Sequence, residues 1–362
     1  MADCIVIGGG VIGLLTARAL HLAGLEVVLV ERGKLGGESS WAGGGIISPL
    51  YPWRYAEAVN QLAEKSKNIY PELAAQLQAE SGVDCELLSS GMLYTDVDEF
   101  EAASDWAEKC QQRLELITDR QSLLQIEPAL HPDIERAIWL PDIRQIRNPM
   151  LVQALRGSLH SLGLRCIEHT EVDEILHTAG KISGVRTGQQ VIHADRVVVA
   201  SGAWSARVMQ GLGDIDIEPV KGQMLMFRGE PGQIQTMVLS HGHYIIPRRD
   251  GRVLAGSTLE KTGFEKQITG DAMETLSADA AALIPLLAEL PIERQWAGLR
   301  PGTLNGIPYI CTHPEIDGLY IHAGHYRNGI VLGPASAQLL TEIVLAGDTF
   351  CDASAYAMSA AH

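Results

Sequence analysis

The sequence predicts an α/β fold, α+β overall, in which a unit of parallel strands and helices is joined to a sheet of another kind. Three observations carry this. Asp3 to Ile7 is a short apolar strand running into Gly8-Gly9-Gly10-Val11-Ile12-Gly13 and a helical pattern, and a second apolar run, Val27 to Val30, ends at Glu31. The turn from strand into glycine recurs at Gly202 and at Gly324. Between those two, residues 220–259 alternate apolar and polar over several strands, with Arg249-Asp250-Gly251 as a hairpin turn.

The first unit has the spacing Gly8-x-Gly10-x-x-Gly13, with Glu31 18 residues further on. Such glycines permit a tight turn and close backbone approach, and a helix N-terminus faces the pyrophosphate of a dinucleotide. The glycine pattern is weak when isolated; the strand, helix, second strand and acid around it make it a Rossmann-like unit. It leaves open which dinucleotide is held. A second glycine-rich segment, Gly36 to Ser48, can lay N–H groups and hydroxyls along an extended anionic ligand through Ser39, Ser40, Gly44 and Gly45. A flexible surface loop is the alternative, against which Trp41, Ile46 and Ile47 argue.

Further along, residues 56–81 carry Leu62, Ile69, Leu73 and Leu77 at near-helical spacing, and residues 98–115 form a second helical pattern around Phe100, Trp106 and Leu114. Gly91 to Thr95 between them is strand-like. Pro128, Pro132, Pro141 and Pro149 mark a crossing region near 128–150 and a domain boundary. A helix is expected over 151–162, then strands at 165–168, 171–176, 184–187 and 191–192, and a buried strand over 194–200 ending at the Gly202 turn. Residues 271–290 read as helix. Gly318 to Gly324 is a strand, followed by the loop His325-Tyr326-Arg327-Asn328-Gly329 and an amphipathic helix over 330–345, a second place where helix-terminal N–H groups can meet a ligand. Residues 353–362 are expected to form a loose tail.

With 362 residues, 46% apolar and 20% charged, the chain has an ordinary soluble globular composition and room for two domains. A net charge of −16 repels nucleic acid and anionic membranes, so neither is expected as a partner, and a small anionic substrate would need local arginines. Six scattered cysteines without a CxxC pair fit reduced thiols in a cytoplasmic enzyme and suggest no metal. The residues before the first strand carry no basic n-region, so no signal peptide is expected, and the apolar runs are too short to span a bilayer.

Together the Gly8–Gly13 turn with Glu31, Ser39-Ser40-Trp41-Ala42-Gly43-Gly44-Gly45-Ile46, Val197 to Ser205, Trp296 to Thr303 and Gly324 to Ile330 resemble the D-amino acid oxidase family of flavoproteins, within it the glycine oxidases of the thiamine-biosynthesis type. The resemblance runs from residue 3 to about residue 347. It implies an FAD domain assembled from residues 1–82, 143–220 and 300–352, and a substrate domain on a large antiparallel sheet from 83–142 and 221–299. It further implies that Val11 and Ile12 approach the pyrophosphate, that Glu31 and Arg32 hold the adenosine ribose, and that Val172 pairs its backbone with adenine. Ser39, Ser40, Gly44, Gly45 and Ile46 would line pyrophosphate and flavin, with Gly202 at the cofactor. His325, Tyr326, Arg327, Asn328, Gly329, Ile330 and Val331 would lie at the flavin pyrimidine, where a helix N-terminus favours negative charge on reduced flavin.

For the chemistry, the resemblance implies oxidative deamination of glycine, and of sarcosine and small D-amino acids, by hydride transfer to flavin N5. The products would be glyoxylate, ammonia and hydrogen peroxide, with oxygen as acceptor and the glycine imine destined for the thiazole of thiamine. Such a step needs positioning more than a strong base, and the substrate carboxylate is the handle: an arginine fork grips it bidentately and a phenol adds a third bond. Arg300 is the expected fork, Tyr244 the hydroxyl partner, and Arg327 a third group nearer the mouth. Apart from the resemblance, an arginine before proline in a loop serves equally as a surface ion-pair donor, and a strand tyrosine as core. By the resemblance, Leu259 stands where the family's glycine oxidases carry another apolar residue such as methionine, which leaves the pocket volume near the substrate Cα open. His241 and His243, without a nearby carboxylate, fall short of a metal site. Cys311 reads as core rather than as a flavin attachment point, so FAD is expected to be non-covalent. The family also suggests a homo-oligomer, often a tetramer. A D-amino acid oxidase or dehydrogenase with a wider pocket, and a flavin-binding protein without catalysis, remain alternatives.

Overall fold

The computed structural model describes residues 2–362. From the N-terminus it runs β1 (Ala2–Ile7), α1 (Val11–Leu22), β2 (Val27–Val30), the short α2 (Ser39–Ala42) and the long α3 (Glu57–Ser81). Gly82, at φ 74°, ends α3 in the left-handed conformation that glycine tolerates, its N–H on the Gln78 carbonyl. There follow β3 (Leu88–Ser89), β4 (Met92–Tyr94), α4 (Phe100–Lys109), β5 (Glu115–Ile117), α5 (Arg120–Ile126), β6 (Ala137–Leu140), β7 (Arg144–Gln145) and α6 (Asn148–Ser161). Next come β8 (Arg165–Ile167), β9 (Glu174–Thr178), β10 (Lys181–Thr187), β11 (Gln190–Val199), α7 (Ser205–Val208) and β12 (Glu218–Arg228). β13 (Met237–Ser240), β14 (His243–Pro247), β15 (Arg252–Gly256), α8 (Gly270–Leu283), β16 (Ile292–Gly302), β17 (Tyr309–Thr312), β18 (Leu319–Ala323) and α9 (Gly329–Val344) complete it.

Two eight-stranded sheets organise these elements. The first has the order β17-β18-β11-β1-β2-β8, with β10 and β9 continuing antiparallel from β11. β18, β11, β1, β2 and β8 are parallel. Parallel strands are covered on both faces, which is why β1 and β2 read as unbroken apolar runs. Cys4, Val6 and Leu29 pack into a core with α1, α3, α6 and α9, while Ile5, Ile7, Val28 and Val30 pack with Ile175, Ile182 and Val185 on the other side.

The second sheet has the order β16-β12-β15-β14-β13-β4-β6-β5 and is antiparallel except where β13 meets β4. Its alternation sorts side chains between two cores. Met224, Tyr244 and Ile246 face the side that holds Ile46, whereas Leu225, Phe227 and Ile245 meet Leu276, Ala280 and Leu283 of α8. Gly251, at φ 85°, makes the β14–β15 turn by donating its N–H to the Arg248 carbonyl.

The structure corrects several expectations. The helical pattern over 98–115 stops at Lys109, and its last residues turn into β5. The proline-punctuated crossing region holds α5 and β6, the latter inside the second sheet. Arg300 lies in the 11-residue strand β16 rather than in a loop; Pro301 is tolerated because β16 is an edge strand. Residues 353–362 are not loose. Tyr356 is fully buried and donates its hydroxyl to the Ala58 carbonyl at 2.8 Å, and the His362 ring stacks on Tyr309 with centroids 3.6 Å apart. Carboxylates do stand beside the two strand histidines: His241 pairs with Asp96 at 2.9 Å and His243 with Asp279 at 2.6 Å. Each has one carboxylate, and no group of three or more His, Cys, Asp or Glu side chains suited to a metal occurs among the described residues. Among those residues no helix is long and apolar enough to cross a membrane.

Candidate active site

The C-terminal ends of β1, β2, β11 and β18 open into a cavity of about 870 Å³. Open parallel sheets place ligands at this edge, and the volume is that of a large small-molecule site. Gly8, at φ 109°, passes so close to β11 that a Cβ would stand 2.5 Å from the Ala200 carbonyl oxygen. A Cβ on Gly13 would stand 1.8 Å from the Gly8 carbonyl oxygen, so the helix can sit on the turn only with glycine there. Gly13 itself does not line the cavity; Gly8, Gly10, Val11 and Ile12 do.

Glu31 marks one end. Its carboxylate accepts from the Gly9 N–H at 2.6 Å and the Gly33 N–H at 2.7 Å, which locks it across the mouth of the glycine turn. Arg32 lies over the Trp204 ring, 3.7 Å from its centroid, and Val172 and Gly202 complete this end. The α1 N-terminus is left without a side-chain cap from Gly10, and Ser40 accepts the Val11 N–H at 2.8 Å. At the far end α9 begins at Gly329, and Asn328 before it makes no side-chain cap. His325, Tyr326, Arg327, Gly329 and Ile330 line the same cavity, whereas the Val331 side chain is in the core and can offer only its backbone.

The segment around residues 43–46 separates this cavity from a smaller one of about 90 Å³, to whose walls Gly44, Gly45, Ile46, Tyr244 and Asn328 contribute. Ser39, Gly43, Arg300, Arg327 and Ile330 line both, so the two spaces adjoin at the arginines. Gly45, at φ 77°, passes under Ile146, whose carbonyl oxygen would be 2.0 Å from a Cβ. Arg248, buried, donates to the Gly44 carbonyl at 2.6 Å, to Gln145 at 2.6 Å and to the Ile146 carbonyl at 3.2 Å. Burial pushes its pKa down to about 10, so it stays cationic. Sequence reading passed over Arg248, one of two adjacent arginines before a turn.

Arg300 reaches the junction across β12, where Gly222 makes room: a Cβ there would be 2.0 Å from its Nη2. Its Nη2 donates to the Ser257 hydroxyl at 2.7 Å, and Nη1 to the Thr258 and Lys221 carbonyls at 3.2 and 3.3 Å. Burial lowers its pKa, the nearby Arg327 adding to the effect and Tyr244 opposing it. Neither arginine has a carboxylate partner among the described residues. A partly desolvated cation without a counter-ion is costly, and a bound carboxylate would offset that. Tyr244 is buried in the wall of the smaller cavity with its hydroxyl 3.2 Å from the Met224 sulfur, a weak partner that a better acceptor can replace. Gly222, Ser257 and Met224 had no local sequence signal. Leu259 lines neither cavity and is 53% exposed, which removes it from the pocket wall.

These residues fit FAD. The lining of the larger space runs from Glu31 at the end of the second strand, by the first residues of α1 and α9, to Arg300 and Arg327. Gly8 and Gly10, without side chains, leave the α1 end of that space open to a ligand's approach. Cys311 lines neither cavity, and burial pushes its thiol up to about 12.

Such a fold and site define the flavin-dependent oxidoreductases that act through a substrate domain built on a second sheet. The chain belongs to the FAD dependent oxidoreductase family DAO, whose model matches residues 3–343. It is 45% identical over 355 residues to the glycine oxidase of Pseudomonas aeruginosa, covering 98% of this chain and 97% of that one. The bifunctional protein ThiO/ThiG of Trichormus variabilis is 30% identical, with 95% of this chain matching 52% of its length. The crystal structure of glycine oxidase from Geobacillus kaustophilus superposes with a TM-score of 0.94 at 29% identity, covering 99% of this chain and 98% of that one.

Proposed function

We propose that this FAD-dependent oxidoreductase oxidises glycine to its imine, which water converts to glyoxylate and ammonia, with oxygen reduced to hydrogen peroxide. The observation that carries the reading is Arg300: a part-buried guanidinium without a carboxylate partner among the described residues, at the junction of the cofactor cavity and a second space of only about 90 Å³. A guanidinium fork there grips a substrate carboxylate, and the small volume favours a substrate with little or no side chain. Likeness to glycine oxidases over the full chain supports the same substrate. Sarcosine and small D-amino acids are lesser substrates in this reading.

FAD, held between Glu31 and the α9 N-terminus, supplies the hydride acceptor. The protein's own part is positioning. Arg300 fixes the carboxylate, Tyr244 adds a hydrogen bond from its hydroxyl, and Arg327 draws the anion to the junction. The wall of Ile46, Leu50 and Met224 keeps the space apolar, which favours the amine in its neutral form. Val11, Ile12, Ser39, Ser40, Gly44, Gly45 and the 325–331 loop hold the cofactor, with Arg32 and Val172 at its adenosine end. FAD is bound without a covalent link in this reading, since Cys311 lines neither cavity. The FAD domain comprises residues 1–82, 143–220 and 300–352, and the substrate domain 83–142 and 221–299. The likeness to ThiO/ThiG supports a role in supplying glycine imine for the thiamine thiazole.

The test is anaerobic bleaching of the flavin by glycine, sarcosine, D-alanine and D-proline, with peroxide release measured in air. Glycine should bleach the flavin most efficiently at low concentration. Bleaching by D-proline or D-alanine with none by glycine would point to the wider-pocket alternative.

A further inference from the structure

Two side chains from opposite flanks of β1 meet at the cofactor cavity. Arg32, past the end of β2, holds its guanidinium 3.7 Å from the ring centroid of Trp204, past the end of β11, and both line the cavity. β1 stands between β2 and β11, and the glycine turn that faces the pyrophosphate continues from it. A contact that joins the two flanks therefore crosses the path of a dinucleotide lying along this edge of the sheet.

Residues 257–269, between β15 and α8, brace both halves of that contact from the second sheet. Phe264 packs on Trp204 with centroids 5.4 Å apart, and the Arg207 guanidinium covers it at 3.6 Å. Lys266 pairs with Glu38 at 2.9 Å, and Glu38 pairs with Arg32 at 3.5 Å. One segment thus grips both flanks of β1. Every residue from 259 to 270 is exposed except Glu260 and Phe264, so Phe264 owes its partial burial to the cavity rim rather than to a core of the loop's own.

The root of the segment is held differently. Lys221, buried in β12, donates to the Glu260 carboxylate at 2.7 Å and to the Gln267 carbonyl at 3.2 Å, drawing the two ends of the loop together. Gln223, also buried, donates to Glu260 at 2.9 Å and to the Thr269 hydroxyl at 3.1 Å. Charge-assisted bonds from buried donors hold the root, whereas part-exposed stacking and a surface ion pair hold the tip. The tip parts first.

We propose that residues 260–268 form a strap across the cofactor cavity, and that its tip must leave Trp204 and Glu38 before FAD can enter or leave. The inference rests on FAD occupying the larger cavity. Phe264 and Lys266 line neither cavity, so they act on passage and not on the bound cofactor. Weakening their contacts speeds uptake and release alike and leaves the equilibrium nearly unchanged.

The experiment dilutes the wild-type and variant holoproteins and follows the recovery of flavin fluorescence. The rate gives release, the final level gives the dissociation constant, and their quotient gives uptake. Phe264→Ala, which loses one aromatic and one cation–π contact, should release FAD about tenfold faster with a dissociation constant within roughly threefold of wild type. Phe264→Tyr keeps a ring between Trp204 and Arg207 and should release at the wild-type rate. Lys266→Gln should release about threefold faster at low salt and lose most of the acceleration that salt brings to wild type, because screening weakens an exposed pair. The proposal is overturned by an unchanged release rate in Phe264→Ala, by release that speeds only in proportion to weaker binding, or by Phe264→Tyr releasing as fast as Phe264→Ala. A Lys266→Gln protein that answers to salt as wild type does also overturns it. A wild-type protein that takes up no FAD at all would instead refute the cofactor reading on which the proposal stands.

Discussion

At Arg300 the side chain is held by one hydroxyl and two carbonyls, all neutral, and by no anion among the described residues. Arg300→Ala should therefore raise the apparent KM for glycine about ten- to a hundredfold, the worth of a charged hydrogen-bonded pair of ~1.5–3 kcal/mol, while flavin content stays at wild type. Loss of flavin in that variant would place Arg300 at the cofactor instead. Gly222→Ala offers an independent check on the same geometry. Its Cβ would occupy the place of the guanidinium, so KM should rise to a similar degree although the arginine is still present. The buried histidines make a prediction about acid. His325 is pushed down to about 3 and His322 well below its usual value, both through burial. Both are neutral in the fold, whereas the unfolded chain takes up their protons below about pH 6.5. Their contribution is complete above that pH and falls as pH drops toward 3, by up to about 1.4 kcal/mol per pH unit for each ring. Urea midpoints of the holoprotein should decline between pH 6.5 and 5, above the range in which carboxylates titrate. A flat midpoint across that interval in wild type would count against the buried neutral pair.

Among elements, the glycine segment 43–46 is shaped by groups distant in sequence. Arg248 enters from the β14–β15 turn and ties Gly44 to Gln145 and Ile146, so the wall between the cavities is a joint product of the second sheet and the separate β3–β7 pair. Arg248→Met should cost about 2–4 kcal/mol by leaving buried carbonyls unpaired, and should lower both the melting temperature and the flavin content. Unchanged flavin content in a destabilised Arg248→Met would restrict the residue to a structural part. Local elements differed in how well the sequence revealed them. The first strand, turn and helix could be read because their determinants lie within some thirty residues: an apolar run, glycines that alone permit the turn, and an acid at the next strand end. β16 was hidden by Pro301, since a proline that would break a central strand is harmless at an edge. α5 and β6 were masked in the same way by the surrounding prolines.

For the whole molecule, the last ten residues pack onto the rest of the fold rather than trail from it. Tyr356 is buried against α3 and His362 covers Tyr309. Deleting residues 353–362 should lower stability by about 2–3 kcal/mol, the cost of exposing one large buried side chain and its hydrogen bond, and a differential scanning measurement of full-length and shortened chains would detect it. An unchanged melting temperature would show that these contacts add nothing. The cofactor's hold is tested at the same scale: acid precipitation of the holoprotein should leave a colourless pellet and a yellow supernatant.

The glycine turn, Glu31, the two later strand-to-glycine turns and the resemblance they carry were all readable along the chain, because each depends on neighbours in sequence or on a motif of a few residues. The cradle that Gly222 leaves for Arg300, the grip of Arg248 on Gly44 and the Thr16–His322 pair were not. Thr16 and His322 are 306 positions apart, and neither residue type distinguishes a core polar group from a ligand contact. Backbone conformation follows local sterics, so it leaves a local signature. Burial, hydrogen-bond partnership and protonation depend on what the folded chain brings alongside, and they emerge only when β18 is laid against α1, and β16 against β12.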